Sequence, residues 1–284
     1  MPYDIVFHVA ATLLYASLGL HAWRSLARAE AEPWQPREPR YGLPLALLLH
    51  GLGLQQDMLA GPALQINWAI AASASLWLGM IIFWLESLRE PLDGLKLLLY
   101  PTAALSAFVP IIAPITYPVL PASEPWLRAH LLIALASYGL VIIAALQAVL
   151  MTLLDRQLQA PSRNIGNNWF DALFARALDA MPPLLIQEKL LFRLISLGFG
   201  ALTLAVVSGA LISATLTGQA LPLDLKTIFT LLAWLTFGIL LIGRRVWGWR
   251  GRVAVRWTLA GAGFLALIYL GGGFALYVAL QGNL

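Results

Sequence analysis

Long apolar blocks recur along this sequence and constrain its fold more than any other feature. They are roughly 18 to 28 residues long, enough for a helix to cross a hydrocarbon core of about 30 Å. Hydrophobic residues make up 60% of the 284 residues and charged residues 11%, whereas soluble domains contain roughly 45–50% and about 25%. The sequence therefore predicts an all-α, polytopic membrane helix bundle.

The blocks predict about eight transmembrane helices in a single bundle domain, residues 1–284. The predicted spans are residues 3–23, 42–59, 67–87, 95–118, 127–153, 190–214, 225–243 and 257–280. In the fourth span, Pro101, Pro110, Pro114 and Pro118 each remove a backbone donor, which predicts kinks or a broken helix. No basic segment precedes the first block, so we expect a retained helix there rather than a cleaved signal peptide.

The basic residues predict how the bundle is oriented. Of the 18 lysines and arginines, all except Arg128 and Lys226 lie in or beside the odd-numbered loops. By the positive-inside rule these loops are cytoplasmic, and both termini are on the outer, periplasmic side. The net charge of +4 follows from the same rule, so no nucleic-acid partner is expected.

The fifth loop, residues 154–189, is the only long connection between spans. Apolar residues at helical spacing between Trp169 and Met181 predict an amphipathic helix in the cytoplasmic interface. Such a helix either joins two halves of the bundle as a surface element or acts as a gate.

Several classes of function have no support in the sequence. The absence of cysteine excludes disulfides, thiolate metal sites and thiol redox relays. The motifs of serine hydrolases, zinc proteases, P-loop enzymes and dinucleotide-binding enzymes are also absent. No inverted repeat is visible, and only the proline-rich fourth span favours a small-molecule transporter.

Ionisable residues inside a membrane are costly, which makes each histidine a candidate site. His50 lies within the second span, where its imidazole needs either a ligand or a hydrogen bond from a neighbouring helix. His8 lies about one turn inside the outer end of the first span and faces either the bundle or the headgroups. His130 begins the fifth span on the outer side, with Tyr138 two turns later. A neutral imidazole there is either an interfacial hydrogen-bonding group or an axial ligand for haem iron.

Three segments carry a resemblance to a known family. The segment RAHLLIALASYGLVIIAALQAVLMTLLDRQL resembles the part of the cytochrome c assembly (CcsA/CcmC-like) family that carries its first outward-facing haem histidine. MPPLLIQEKLLFRLISLGFGALTLAVVSGAL resembles the next span of that family. GWRGRVAVRWTLAGAGFLALIYLGGGF resembles its YpjD/HemX-like branch of bacterial inner membrane proteins. The resemblance covers about residues 40–280 in order and topology.

The resemblance implies that haem is the cofactor and that it is handled at the outer face of the bacterial inner membrane. By this resemblance, His130 matches the position of an axial ligand of the haem iron. His50 matches the position of a membrane-embedded histidine that holds haem in transit. His8, on the same outer side as His130, is a candidate for the second ligand. Arg128 is either a partner for a haem propionate or a snorkelling interfacial arginine. Tyr138, one step round the helix from the face that carries His130, is a further cofactor-binding candidate.

The family's haem-cradling loop, tryptophan-rich and ending in a WWD motif, differs in this chain. Here the loop reads TLTGQALPLDLKT, in which only Asp224 and Lys226 match the end of the motif. We therefore expect a haem-binding or haem-handling membrane protein rather than a complete haem lyase. The alternative is a HemX-like, non-catalytic membrane partner that holds no haem. The expected partners are membrane lipid and other membrane proteins of cytochrome c assembly or the haem pathway.

Overall fold

The computed structural model describes residues 2–28, 41–59, 63–88, 93–113, 117–121, 125–159, 183–222 and 224–281. The helices are α1 (Pro2–Arg28), α2 (Gly42–Leu59), α3 (Trp68–Ser87), α4 (Asp93–Ile112), α5 (Pro125–Gln159), α6 (Leu184–Thr217), α7 (Leu225–Val246) and α8 (Arg252–Gln281). Two short strands, β1 (Ala63–Ile66) and β2 (Tyr117–Pro121), pair antiparallel. The interfacial helix predicted between Trp169 and Met181 lies outside the described residues.

Six helices in the described part of the chain are long and apolar enough to cross a membrane: α1, α3, α4, α5, α6 and α7. The protein is therefore a polytopic helical membrane protein, as the sequence predicts. Helix α2 coincides with the predicted second span but carries Gln55, Gln56 and Asp57 in its last turns. The count of eight spans and the outward termini stay predictions.

The fourth predicted span differs from the structure at its end. Helix α4 contains Pro101 and Pro110 but ends at Ile112 instead of residue 118, and β2 follows it. Pro114 comes directly after Ala113 in the sequence, and a proline disfavours helical geometry at the residue before it. Asn67 fixes the end of the helix, because its Nδ2 donates to the carbonyl of Ala113 at 2.7 Å. The same side chain caps α3 by accepting from the backbone N–H of Ile70 at 2.7 Å.

Helix α5 packs against α3, α4, α6 and α8, and its approach to α3 is very close. A Cβ atom on Gly139 would overlap the carbonyl oxygen of Ser75 and would lie 2.9 Å from the backbone nitrogen of Gly79. Small residues at helix interfaces let two backbones approach in this way. The main cluster of buried hydrophobic residues then draws side chains from all of the helices α1 to α8. The position of α5 matters for function because its first turns carry His130.

Candidate functional site

A cleft of about 560 Å³ opens between α3, α5, α6 and α7, and we call it the His130 cleft. Its lining includes Trp68, His130, Tyr138, Asp224 and Lys226. The volume is within the range of small-molecule and cofactor sites, roughly 300–1,000 Å³. Four of the residues that the sequence singled out therefore share one opening, although they come from α5 and from the start of α7.

The ring of His130 is oriented by a serine on the neighbouring helix α6. Its Nδ1 lies 2.9 Å from Oγ of Ser208, and that hydroxyl donates to the carbonyl of Leu204 at 2.7 Å. In the tautomer that carries its proton on Nδ1, the imidazole donates to this oxygen, and the lone pair on Nε2 is then available as a ligand.

Gly209 makes room for the same ring. A Cβ atom at this position would lie 3.0 Å from Cε1 of His130 and 3.6 Å from its Nε2. Neither Ser208 nor Gly209 was among the residues predicted from the sequence. No sequence signal distinguishes them from the other serines and glycines of α6, and His130 lies 78 positions away from the serine.

The remaining predicted residues of the cleft have partners of their own. Asp224 caps α7, because its Oδ1 accepts from the backbone N–H of Thr227 at 2.7 Å. Hydrogen bonds from Thr227 lower the pKa of the Asp224 carboxyl, and the side-chain hydrogen bond has the larger effect. Tyr138 forms a side-chain hydrogen bond with Thr230. Lys226 is exposed and places a cation at the same opening.

Arg128 does not line the His130 cleft. It borders a second groove of about 450 Å³ between α2, α3 and α5, whose other lining residues are almost all apolar. Residues two positions apart on a helix point about 200° away from each other around its axis, which separates Arg128 from His130. Arg128 and His130 therefore face different openings.

His8 and His50 form a separate, buried pair in which the two side chains are 2% and 1% exposed. Nε2 of His8 lies 2.8 Å from Oδ2 of Asp57, and Nε2 of His50 lies 2.8 Å from Oγ of Ser73. The two ring centroids are 5.9 Å apart. Of the alternatives left open by the sequence, His50 has the hydrogen bond to a neighbouring helix, and His8 faces the bundle. Neither residue lines the His130 cleft.

The fold and the site define a polytopic helical membrane protein with a histidine-bearing cleft between its helices. The family model of the cytochrome C assembly protein matches residues 41–277 of this chain, and the chain belongs to that family. Inner membrane protein YpjD of Escherichia coli (strain K12) is 28% identical over 229 residues, which is 80% of this chain and 82% of YpjD. Together with the apolar helices, this relationship makes the chain a multi-pass inner membrane protein.

Two further relatives are cytochrome c biogenesis proteins named CcsA. The protein of Chlamydomonas reinhardtii is 32% identical over 157 residues, 54% of this chain and 40% of that protein. The protein of Synechococcus sp. (strain CC9605) is 30% identical over 165 residues, 54% of each chain. The chain thus matches about half the length of these two relatives. No solved structure matches it.

Proposed function

We propose that this protein binds and handles haem in the His130 cleft, at the outer face of the inner membrane. The family and its relatives named for cytochrome c biogenesis suggest the cofactor class. The observation that carries the proposal is the bond between His130 and Ser208. Nδ1 lies 2.9 Å from the serine oxygen, and a hydrogen bond at the second ring nitrogen is how metal-ligating histidines are usually oriented.

The residues of the cleft fit one axial ligand. Neutral imidazole is a common axial ligand of haem iron, and the ring of His130 fits against α6 because Gly209 has no side chain. When bound, haem would supply an iron centre whose potential and ligation the surrounding apolar helices tune. Lys226 is the cation of this cleft, so we assign the pairing with a haem propionate to it instead of Arg128. Asp224 and Tyr138 line the same space.

His50 is the membrane-embedded site of the proposal, with His8 beside it. Nδ1 of each ring is buried and has no hydrogen-bond partner among the described residues. A buried nitrogen without a partner is costly, and a ligand that passes between α1 and α2 would satisfy both nitrogens. His8 then acts with His50 in place of supplying a second ligand to His130.

A haem-handling or accessory role fits the cleft better than complete haem-lyase chemistry. The chain has four histidines, and His130 is the only one of them that lines the cleft. The loop before α7 contains no tryptophan between Thr215 and Asp224. These two observations also favour the second candidate, a HemX-like membrane partner that holds no haem. Partners among other cytochrome c assembly membrane proteins are part of both proposals.

Haemin titration of the purified protein in mild detergent tests the proposal, with the Soret band as the readout. The variants are His130→Ala and, as the matched control, His21→Ala, since His21 is exposed on α1 away from the cleft. We expect saturable binding by the wild type and by the control, and loss of the Soret shift in His130→Ala. Imidazole should restore the band in His130→Gly.

Two outcomes contradict the proposal in different ways. If no preparation shows saturable haemin binding, the protein holds no haem and the partner role replaces the proposal. If His130→Ala binds haemin as tightly as the wild type, haem is held elsewhere and the ligand assignment fails.

The orientation that places the cleft outside, with eight spans and both termini in the periplasm, is part of the proposal. The chain has no cysteine, so single cysteines introduced at exposed positions report topology without background. Gln219→Cys near the cleft should react with a membrane-impermeant maleimide in intact spheroplasts. Arg245→Cys, at the other end of α7, should react only after the membrane is opened. The reverse pattern of labelling would place the cleft in the cytoplasm.

A further inference from the structure

A second polar opening lies at the other end of the bundle. It has a volume of about 630 Å³ and is formed by the last turns of α5 and the first turns of α6 and α8. We call it the basic cleft, because its lining includes Arg156, Arg252 and Arg256. Measured along α5, it is roughly 35–40 Å from His130, and it therefore belongs to a different membrane boundary.

The acidic side chains of the basic cleft already have partners. Oδ2 of Asp155 accepts from Nε of Arg252 at 2.9 Å. Oε2 of Glu188 accepts from the backbone N–H of Gly251 at 3.1 Å, and its Oε1 lies 3.8 Å from Nε of Arg250. Both acids therefore tie the start of α8 to α5 and α6, and their charges are largely compensated within the protein.

Two arginines of the basic cleft are not engaged by these acids. Arg156 on α5 and Arg256 on α8 are exposed, and neither makes an ion pair or a hydrogen bond with another residue in the described part of the chain. They border the same opening from two helices. Arginine pairs with phosphate oxygens through two parallel hydrogen bonds. The opening is therefore suited to a phosphate group.

The walls below the arginines are apolar. Met151 and Val255 are buried, whereas Leu185 is 65% and Leu259 37% exposed. A free phosphate would leave the two exposed leucines uncovered, whereas an acyl chain would pack against them. Basic pockets between transmembrane helices are also a recurring way to bind phospholipid head groups. We propose that the basic cleft binds an anionic phospholipid, with its phosphate between Arg156 and Arg256 and an acyl chain along the apolar wall.

The experiment titrates the full-length protein in detergent with dioleoyl phosphatidylglycerol and follows bound lipid by native mass spectrometry. Dioleoyl phosphatidylcholine and inorganic phosphate are the comparison ligands. The test variant is Arg156→Gln with Arg256→Gln. The matched control is Arg24→Gln with Arg245→Gln, which removes the same charge from exposed arginines at the same end of the bundle. Since these arginines make no bonds with other described residues, folding should be unaffected, and the melting temperature checks this.

We expect saturable binding of phosphatidylglycerol that weakens about fivefold for each arginine removed, or roughly 25-fold in the double variant. The control should bind as the wild type does. Phosphatidylcholine should bind weakly, and millimolar inorganic phosphate should not compete. The proposal is overturned if the test variant keeps its affinity or if the control loses as much. Competition by inorganic phosphate would also overturn it, by showing a site for a soluble anion.

Discussion

Nδ1 of His130 on α5 lies within hydrogen-bond distance of Oγ of Ser208 on α6, at 2.9 Å, across 78 positions of sequence. The serine itself is anchored to the carbonyl of Leu204 in its own helix. The position of α6 therefore determines how the imidazole ring is oriented. Because Nδ1 is engaged with the serine, Nε2 is the ring nitrogen that remains for a ligand.

Ser208→Ala should lower haemin affinity by about tenfold, since the loss of a residue that orients a metal-ligating histidine typically costs 10–100-fold. Haemin titration at the Soret band measures this. Ser196→Ala is the control, because Ser196 makes the same bond to its own helix, to the carbonyl of Phe192 at 2.7 Å, and does not line the His130 cleft. Equal affinity in Ser208→Ala and the wild type would contradict the role of Ser208.

Gly209→Val should abolish haemin binding with the protein still folded, because a side chain there displaces the ring of His130. Gly200→Val is the matched variant on the same helix, since a Cβ atom at Gly200 would meet nothing within 4 Å. Both variants add the same side chain to α6, so the difference in haemin affinity between them measures the effect of displacing the ring of His130. Binding by Gly209→Val at wild-type strength would mean that His130 does not need this space.

Gly139→Ala should destabilise the bundle by about 1–3 kcal/mol, the usual cost of overpacking, since its Cβ atom would overlap the carbonyl of Ser75 on α3. The melting temperature in detergent measures the loss. Gly198→Ala serves for comparison, because its Cβ atom would lie at an ordinary 3.5 Å from Cβ of Leu140. If both substitutions melt alike, the close approach of α3 and α5 is not important for stability.

Asp57→Ala should destabilise the protein by about 1–3 kcal/mol, because it leaves a buried imidazole without its partner. His8 is 2% exposed, and its Nδ1 already has no partner among the described residues. Asp57→Asn keeps an acceptor and should be milder. Gln56→Ala, an exposed neighbour on α2, should be neutral in the same thermal unfolding assay. An unchanged melting temperature in Asp57→Ala would show that the bond between His8 and Asp57 does not contribute to stability.

Asp224→Ala should cost about 1 kcal/mol by removing the cap of α7, whereas Asp224→Asn keeps the cap and should bind haemin as the wild type does. The hydrogen bonds from Thr227 lower the pKa of this carboxyl in the folded protein. Its contribution to stability is therefore present above the unfolded pKa of about 3.9, and it is lost as the pH falls through the lowered folded value. Melting temperatures at neutral and acidic pH should show the gap between wild type and Asp224→Ala closing in acid. A gap independent of pH would contradict the role of the charged form.

Much of the helical framework could be predicted from hydropathy. Helices α2 and α3 coincide closely with the predicted spans 42–59 and 67–87, because an apolar run bounded by polar residues has few other structures in a membrane. The end of α4 could not be placed in this way. Its end depends on Asn67, which bonds to Ala113 from 46 positions away, and on the pairing of β1 with β2.

The site was predictable only in part. Tyr138, Asp224 and Lys226 do share a cleft with His130. Arg128 and His130 are two positions apart on α5, and such residues point about 200° away from each other around the helix axis. Helical geometry alone therefore predicts that Arg128 faces another groove. Ser208 was not predictable, because a serine in an apolar helix ordinarily bonds to its own backbone and shows no outward sign of a partner.

The sequence by itself determined that this chain is a helical membrane protein and that its few histidines are costly enough to matter, because both conclusions depend on transfer free energies of individual residues. Only the tertiary structure decided how those histidines are used. The rotation of each helix about its axis, set by contacts such as Gly139 against Ser75, turns His130 towards Ser208 and turns His8 and His50 into the bundle. That rotation depends on side chains from several helices at once, and no single segment of the sequence contains it.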